Sequence, residues 1–363
     1  MYQNYQYEVD PKDPLKPLYQ GTFEEKVTVG GKERRYLVYI PKGVRPSTAG
    51  VFILPENSKT ADDLWRDSWW RMIADTEETK EKLIVFFLEP ENDTWNTDEP
   101  YGKPDGDVAY IEQVYLAGAQ RFKFCVHEAK FYLTGCREGG VLANMAAMYN
   151  PAVWAGVATV GGSQVNENYR QAAAEDFCTN LDGFIDETHR LNLKKSDIPM
   201  PAWVINDPES PVGTDNGTAD YWKRSCGITE DGKQTSPDTV TYIRSAEPPY
   251  APNQEKEAFR VCMSTIPGGS ADYANLLLRR IWKDFLYRQR PRRRPARDKG
   301  SGSRSRHGIP LRGNRWLDAR MVRLCAGTGQ AESGKAGSSG VCDARLYLLG
   351  RNLLRQLGVV QGS

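Results

Sequence analysis

Histidine is scarce in this chain: three occur in 363 residues, at positions 127, 189 and 307. That shortage limits general-base chemistry, because imidazole is the side chain that exchanges protons most readily near neutral pH. The seven cysteines (125, 136, 178, 226, 262, 325 and 342) are odd in number, and none forms a Cys-x-x-Cys pair. Such spacing points to neither a disulfide framework nor a zinc site, and it reads as reduced, buried thiols. Long apolar runs are missing too. The longest, VFIL and LIVFFL, fall far short of the roughly 20 residues a membrane-spanning helix needs. The first twenty residues, MYQNYQYEVDPKDPLKPLYQ, carry acids and prolines where a signal peptide would have a basic start and an apolar stretch. These absences predict a soluble, cytoplasmic protein with no metal, no cofactor and no membrane partner.

What the chain does contain is unevenly distributed. Its formal net charge is +1, yet residues 291–363 hold 15 Lys and Arg against 4 Asp and Glu, which leaves 33 against 43 in residues 1–290. The last segment, beginning PRRRPARDKGSGSRSRHG, uses 13 Arg and 2 Lys and is rich in Gly and Ser. It cannot bury much apolar surface and is expected to be disordered. Three readings stay open for it: a basic arm for nucleic acid, a solvated tail, or the product of a shifted reading frame. The arm lacks interleaved aromatics for base stacking, so a nucleic-acid partner is not expected. The division is therefore a folded domain over 1–290 and a basic tail over 291–363.

Within the first 290 residues the pattern alternates between two periods. FEEKVTV and RRYLVYIP flank a Gly-Gly turn and read as a hairpin. Buried-type strands are expected at 50–55, 82–90, 129–135, 154–162 and 201–207, with a further strand near TVTYIRSA. Between them ADDLWRDSWWRMIADTEE, GDVAYIEQVYLAGAQRF and GGVLANMAAMYN show apolar residues at helical spacing, and a last helix is expected over ADYANLLLRRIWKDFLYRQR. Strands alternating with helices predict an α/β fold with a mostly parallel central sheet covered on both faces.

The stretch YLTGCREGGVLAN, residues 132–144, carries the sharpest signal. Its glycines at 135, 139 and 140 surround a strand-to-helix turn whose apex is Arg137, where a serine hydrolase would carry its nucleophile. With RRYLVYIPKG, DVAYIEQV, the elbow segment to VATVGG, and IWKDFLYR in that order, residues 30–290 resemble the polyhydroxybutyrate depolymerase and feruloyl esterase group of α/β-hydrolases.

The resemblance implies positions for a Ser-His-Asp machinery, and this chain departs from each of them. The nucleophile position falls on Arg137, a permanent cation that cannot attack a carbonyl. The acid position falls on Glu209, with Asp207 as a neighbouring candidate. The histidine position falls on Ser270, with no histidine between 190 and 306. The His-Gly of the oxyanion loop is replaced by Pro55-Glu56, which adds negative charge where an oxyanion would form. Cys136 stands one residue before the apex, where a structural thiol is expected rather than a nucleophile. His127 precedes the nucleophile strand at its far end, and His189 lies in an insertion.

The expected reading is a degenerate esterase-like domain that binds a ligand or packs against a catalytic partner domain or subunit. Its alternative is an active carboxylic ester hydrolase with a non-standard site. Glu56, Asn57, Trp95 and Glu138 are the expected binding residues around the bend, for a small ester, sugar or aromatic acid. Arg137 either plugs the old pocket by pairing with carboxylates or holds an anion. Trp65, Trp69, Trp70 and Trp95 flank segments expected near the pocket mouth, where an exposed indole can stack on a sugar or aromatic acid.

Overall fold

The computed structural model describes residues 9–10, 13–17, 20–44, 48–75, 82–119, 126–162, 164–177, 194–210, 217–244, 260–266, 278 and 280–286. A short antiparallel pair, β1 (Val9–Asp10) and β2 (Asp13–Pro17), precedes the main sheet. The hairpin of β3 (Gly21–Val29) and β4 (Lys32–Ile40) then turns on Gly30 and Gly31, at φ 56° and 81°. Both residues need a positive φ in so tight a connection, which is why glycine stands at both.

The remaining strands are β5 (Thr48–Leu54), β6 (Leu83–Phe87), β7 (Val126–Cys136), β8 (Trp154–Val160), β9 (Ala202–Asn206), β10 (Lys233–Ser236), β11 (Thr239–Ile243) and β12 (Arg260–Thr265). They join β3 and β4 in one ten-stranded sheet of order β10-β11-β12-β9-β8-β7-β5-β6-β4-β3. Only β4 and β11 run against the other strands. This mostly parallel sheet, with helices on both faces, is an α/β-hydrolase fold.

Among the described residues, six α-helices accompany it: α1 (Ala61–Asp67), α2 (Trp70–Asp75), α3 (Asp107–Ala119), α4 (Glu138–Tyr149), α5 (Glu167–Glu175) and α6 (Gly217–Cys226). A π-helical segment, Arg280–Phe285, occupies part of the predicted last helix. The single helix expected over ADDLWRDSWWRMIADTEE is corrected to two. Ser68 leaves helical geometry at φ −84°, ψ 149°, and its hydroxyl donates to the Leu64 carbonyl, closing α1. Six elements are additional to those expected: β1, β2, β10, β12, α5 and α6.

Alternation along the central strands sends side chains into two separate cores, as a strand covered on both faces requires. Phe52, Phe131, Leu133 and Val157 pack under α3, α4, α5 and α6. Val51, Ile53, Tyr132 and Ala158 pack under α1, α2 and the π-helical segment. The bend between β7 and α4 thus sits at the carboxyl edge of a central strand, walled by packed helices. No helix among the described residues is long and apolar enough to cross a membrane. The basic tail, residues 291–363, lies outside the described residues.

Candidate functional site

Strand β7 ends at Cys136 and α4 begins at Glu138, so Arg137 alone makes the reversal. Its backbone stands at φ 47°, ψ −119°, a region that costs a non-glycine residue about 1–3 kcal/mol. Hydrogen bonds hold it there. Its N–H donates to Val160 O at 2.9 Å, and its carbonyl accepts from the N–H groups of Gly140 at 2.8 Å and Val141 at 3.0 Å. The glycine pattern read in the sequence has a steric cause. A Cβ on Gly139 would stand 2.1 Å from Pro55 O, and one on Gly162 would stand 2.0 Å from Arg137 O. Backbone presses on backbone at both places, and any side chain would force the bend open.

The side chains around the bend form a closed polar circuit. Arg137 Nη1 pairs with Glu56 Oε2 at 2.8 Å, with the guanidinium partly exposed and the carboxylate more deeply set. Glu138 Oε2 accepts the backbone N–H of Asn57 at 3.1 Å. Asn57 Oδ1 in turn accepts the N–H of Trp95 at 2.8 Å, and Trp95 Nε1 donates to Pro55 O at 2.8 Å. The structure therefore brings Glu56, Asn57, Trp95, Arg137 and Glu138 together. Trp95 needs a correction in one respect: it is only 2 % exposed and stacks beside Tyr110, so it is wall rather than a stacking surface for a ligand. Trp70 is buried as well, whereas Trp69 is exposed.

On the acid side, β9 ends at Asn206 and the chain turns over Asp207. Asp207 is fully buried, its Oδ1 accepts the N–H of Glu209 at 2.9 Å, and its Oδ2 has no hydrogen-bond partner among the described residues. Glu209 itself is exposed. Of the two candidates, Asp207 is the one held in the interior beside the sheet edge. Ser210 ties this loop to the end of β8, its hydroxyl donating to Gly161 O.

Histidine does not join this group among the described residues. His127 stands at the second position of β7, ten residues before Arg137, which along an extended strand is roughly 30 Å from the bend. His189, His307 and Ser270 lie outside the described residues. Among the described residues, no cluster of His, Cys, Asp or Glu is placed to hold a metal ion.

One residue that the sequence reading passed over is central to the site's rigidity. Asn144 is fully buried in α4, and its Nδ2 donates within 3.3 Å to Gly140 O, Thr159 Oγ1 and Gly162 O, while its Oδ1 accepts from Trp222 Nε1 at 3.0 Å. The signal was present as a lone amide inside the apolar run VLANMAAM, where a buried polar group demands partners.

A scan against protein-family models returned no match, and no curated protein matches the chain. Similar solved structures include the acetyl xylan esterase from Aspergillus awamori, at 11 % identity and TM-score 0.48, covering 67 % of this chain and 93 % of that one. A feruloyl esterase module from Clostridium thermocellum, complexed with sinapinate, is 13 % identical with TM-score 0.45, over 84 % and 99 % of the two chains. The S-formylglutathione hydrolase from Staphylococcus aureus is 13 % identical with TM-score 0.46, over 74 % and 99 %.

Proposed function

We propose that this chain is a degenerate esterase-like domain, a pseudoenzyme that retains the α/β-hydrolase scaffold for ligand binding or for packing against a catalytic partner domain or subunit. The observation that carries the reading is the occupant of the bend: Arg137, paired with Glu56 at 2.8 Å. A guanidinium has no lone pair to offer a carbonyl carbon at any pH the fold survives. The loop amide that would face an oxyanion, Asn57 N–H, is engaged by the Glu138 carboxylate, so negative charge already stands where a reacting carbonyl would develop it. Arg137 takes the nucleophile position, Glu209 or the buried Asp207 the acid position, and Ser270 the histidine position. Glu56, Asn57, Trp95 and Glu138 bound the plugged pocket, whose ligand would be a small ester, sugar or aromatic acid. A cytoplasmic setting belongs to this reading, on the odd number and scattered spacing of the seven cysteines.

A second reading is favoured by the intact backbone of the bend and by buried Asp207: an active carboxylic ester hydrolase of the polyhydroxybutyrate depolymerase or feruloyl and acetyl esterase type, working through a non-standard set of groups. The two part in one experiment. Incubated with a short-chain p-nitrophenyl ester and a fluorophosphonate probe, the pseudoenzyme gives neither turnover above buffer nor a labelled band; turnover that scales with protein, with or without labelling, supports the second reading.

A further inference from the structure

A cavity of about 370 Å³ opens at the carboxyl edge of the sheet, where β9 and β12 end beside the β10–β11 hairpin. We propose that it is a binding site for a neutral sugar or polyol of monosaccharide to disaccharide size. Its volume lies at the lower end of the roughly 300–1,000 Å³ of small-molecule sites. It runs from the carboxyl ends of β9 and β12 along the face of the outer strands as far as Tyr242, which pairs with Val261.

The lining follows from strand register. Asn206 pairs with Thr265, Met263 with Val240, and Val240 with Gln234, while Tyr242 lies two residues along from Val240. Alternation along a strand therefore places all six on one face of the sheet. Val240, Met263 and the Tyr242 ring make an apolar floor. Gln234 Nε2 donates to Ser236 O at 2.6 Å, which leaves its Oε1 as an acceptor, and the exposed Thr265 hydroxyl supplies both a donor and an acceptor at the rim, beside the Asn206 carboxamide. That combination matches a molecule with C–H faces and a girdle of hydroxyls.

The charge of the cavity selects against ions. Among the described residues, its one charged lining residue is Asp238, whose carboxylate accepts from Arg280 Nη1 at 3.0 Å and from the hydroxyls of Ser236 and Thr239. The Arg280 hydrogen bond, with those hydroxyls, holds the Asp238 carboxyl far below its ordinary range. The carboxylate thus stays ionised and balanced by its own arginine, and Lys223, near the Tyr242 ring, is paired with Asp220 at 2.6 Å, so among the described residues no unpaired cation lines the cavity for a carboxylate or phosphate ligand. Most of the wall is sheet, with Pro237 and Asp238 contributed by the turn between β10 and β11, and Lys223 Nζ sits 4.7 Å from the Tyr242 ring centre. Neither Arg137 nor Glu56 nor Glu138 lines this cavity, so the inference stands apart from the plugged bend.

The test is saturation-transfer NMR on the full chain with xylose, glucose and maltose, against galacturonate and glucose 6-phosphate as charged counterparts. Saturation transfer from a neutral sugar is expected, with a dissociation constant in about the millimolar range, and weaker transfer from its charged counterpart. Gln234→Leu is expected to weaken binding roughly tenfold. Thr265→Trp, made at an exposed position, fills the cavity and is expected to abolish it, with unchanged circular dichroism melts reporting intact folding. Absence of transfer from all three neutral sugars, preference for the charged ones, or equal transfer in both folded variants overturns the proposal.

Discussion

Arg137 and Glu56, 81 residues apart in the chain, meet at 2.8 Å beside the sharpest bend of the fold. The guanidinium side chain is 30 % exposed and the carboxylate 16 %. Water therefore reaches the cation and screens much of the attraction, so this pair closes a site more than it stabilises the domain. Glu56→Gln is expected to lower unfolding free energy by about 1 kcal/mol or less. Urea titration measures it, and a loss of roughly 3 kcal/mol would mark the pair as buried structural glue instead.

The backbone at the bend yields a prediction about the N-cap position of α4. Replacing Arg137 with Ala or with Gly removes the same ion pair, and glycine is already the better N-cap of the two. At φ 47°, ψ −119° only glycine is unstrained. Arg137→Gly should therefore be more stable than Arg137→Ala by roughly 1 kcal/mol. Equal stability of the two would mean that the bend relaxes in solution.

Restoring the hydroxyl should not restore catalysis. Arg137→Ser places a nucleophile on the bend but leaves Glu138 on the Asn57 amide and leaves no described histidine near it. Members of a catalytic unit fail together rather than additively, so p-nitrophenyl ester hydrolysis by this variant is expected to stay at background. Measurable turnover would place a working base beside residue 137 and overturn the pseudoenzyme reading.

How much of this was legible in the sequence depends on how strongly each element announces itself. The elbow was readable because glycines at 135, 139 and 140 are forced by backbone contacts, and VFIL and LIVFF announce strands covered on both faces. Strand β12, RVCMST, was not, since it opens on Arg and mixes polar with apolar residues; its parallel pairing with β9 supplies what its composition lacks. Helices α5 and α6 do carry an apolar stripe, Tyr169 and Ala173 in one and Ala219 and Trp222 in the other, but they are short and mostly polar, so the stripe is hard to see against its surroundings. Trp95 looked like a candidate ligand platform because sequence cannot tell a buried indole from an exposed one. Its Nε1 bond to Pro55 O decides the matter. Asp207 and Glu209 are two residues apart, and only the turn of the chain after β9 shows which carboxylate goes inside.

Glu112 makes stability depend on pH. Burial pushes its carboxyl up to about 7, opposed by the hydrogen bond from Asn150 and the charge of Lys195. Oε2 accepts from Asn150 Nδ2 at 2.8 Å, and Oε1 is buried with no hydrogen-bond partner among the described residues. The folded state therefore holds a proton that the unfolded state releases near pH 4.3. This contribution is complete below that pH and is lost as pH rises through 7, by roughly 3 kcal/mol in all. Glu112→Gln should remove that slope: urea midpoints of the variant change less between pH 5 and pH 8 than those of the parent. Parallel pH profiles would place the carboxyl in water.

Arg34 and Asp107 present the opposite case to the bend pair. They meet at 2.6 Å with side chains 7 % and 6 % exposed, and Arg34 also lies 3.9 Å over the Tyr110 ring and donates to Glu89 O. Asp107 Oδ2 accepts the N–H of Asn96 at 2.7 Å, which anchors the loop that carries Trp95. Removing one partner strands a buried charge, whereas removing both strands none. Arg34→Met and Asp107→Asn are each expected to cost about 3–5 kcal/mol, and the double variant distinctly less than their sum. A double-mutant cycle in urea measures the coupling, and strict additivity would show that the pair is solvated rather than buried. Because the loop hangs on this pair, each single variant should also raise the accessibility of Trp95 to acrylamide quenching before global unfolding sets in.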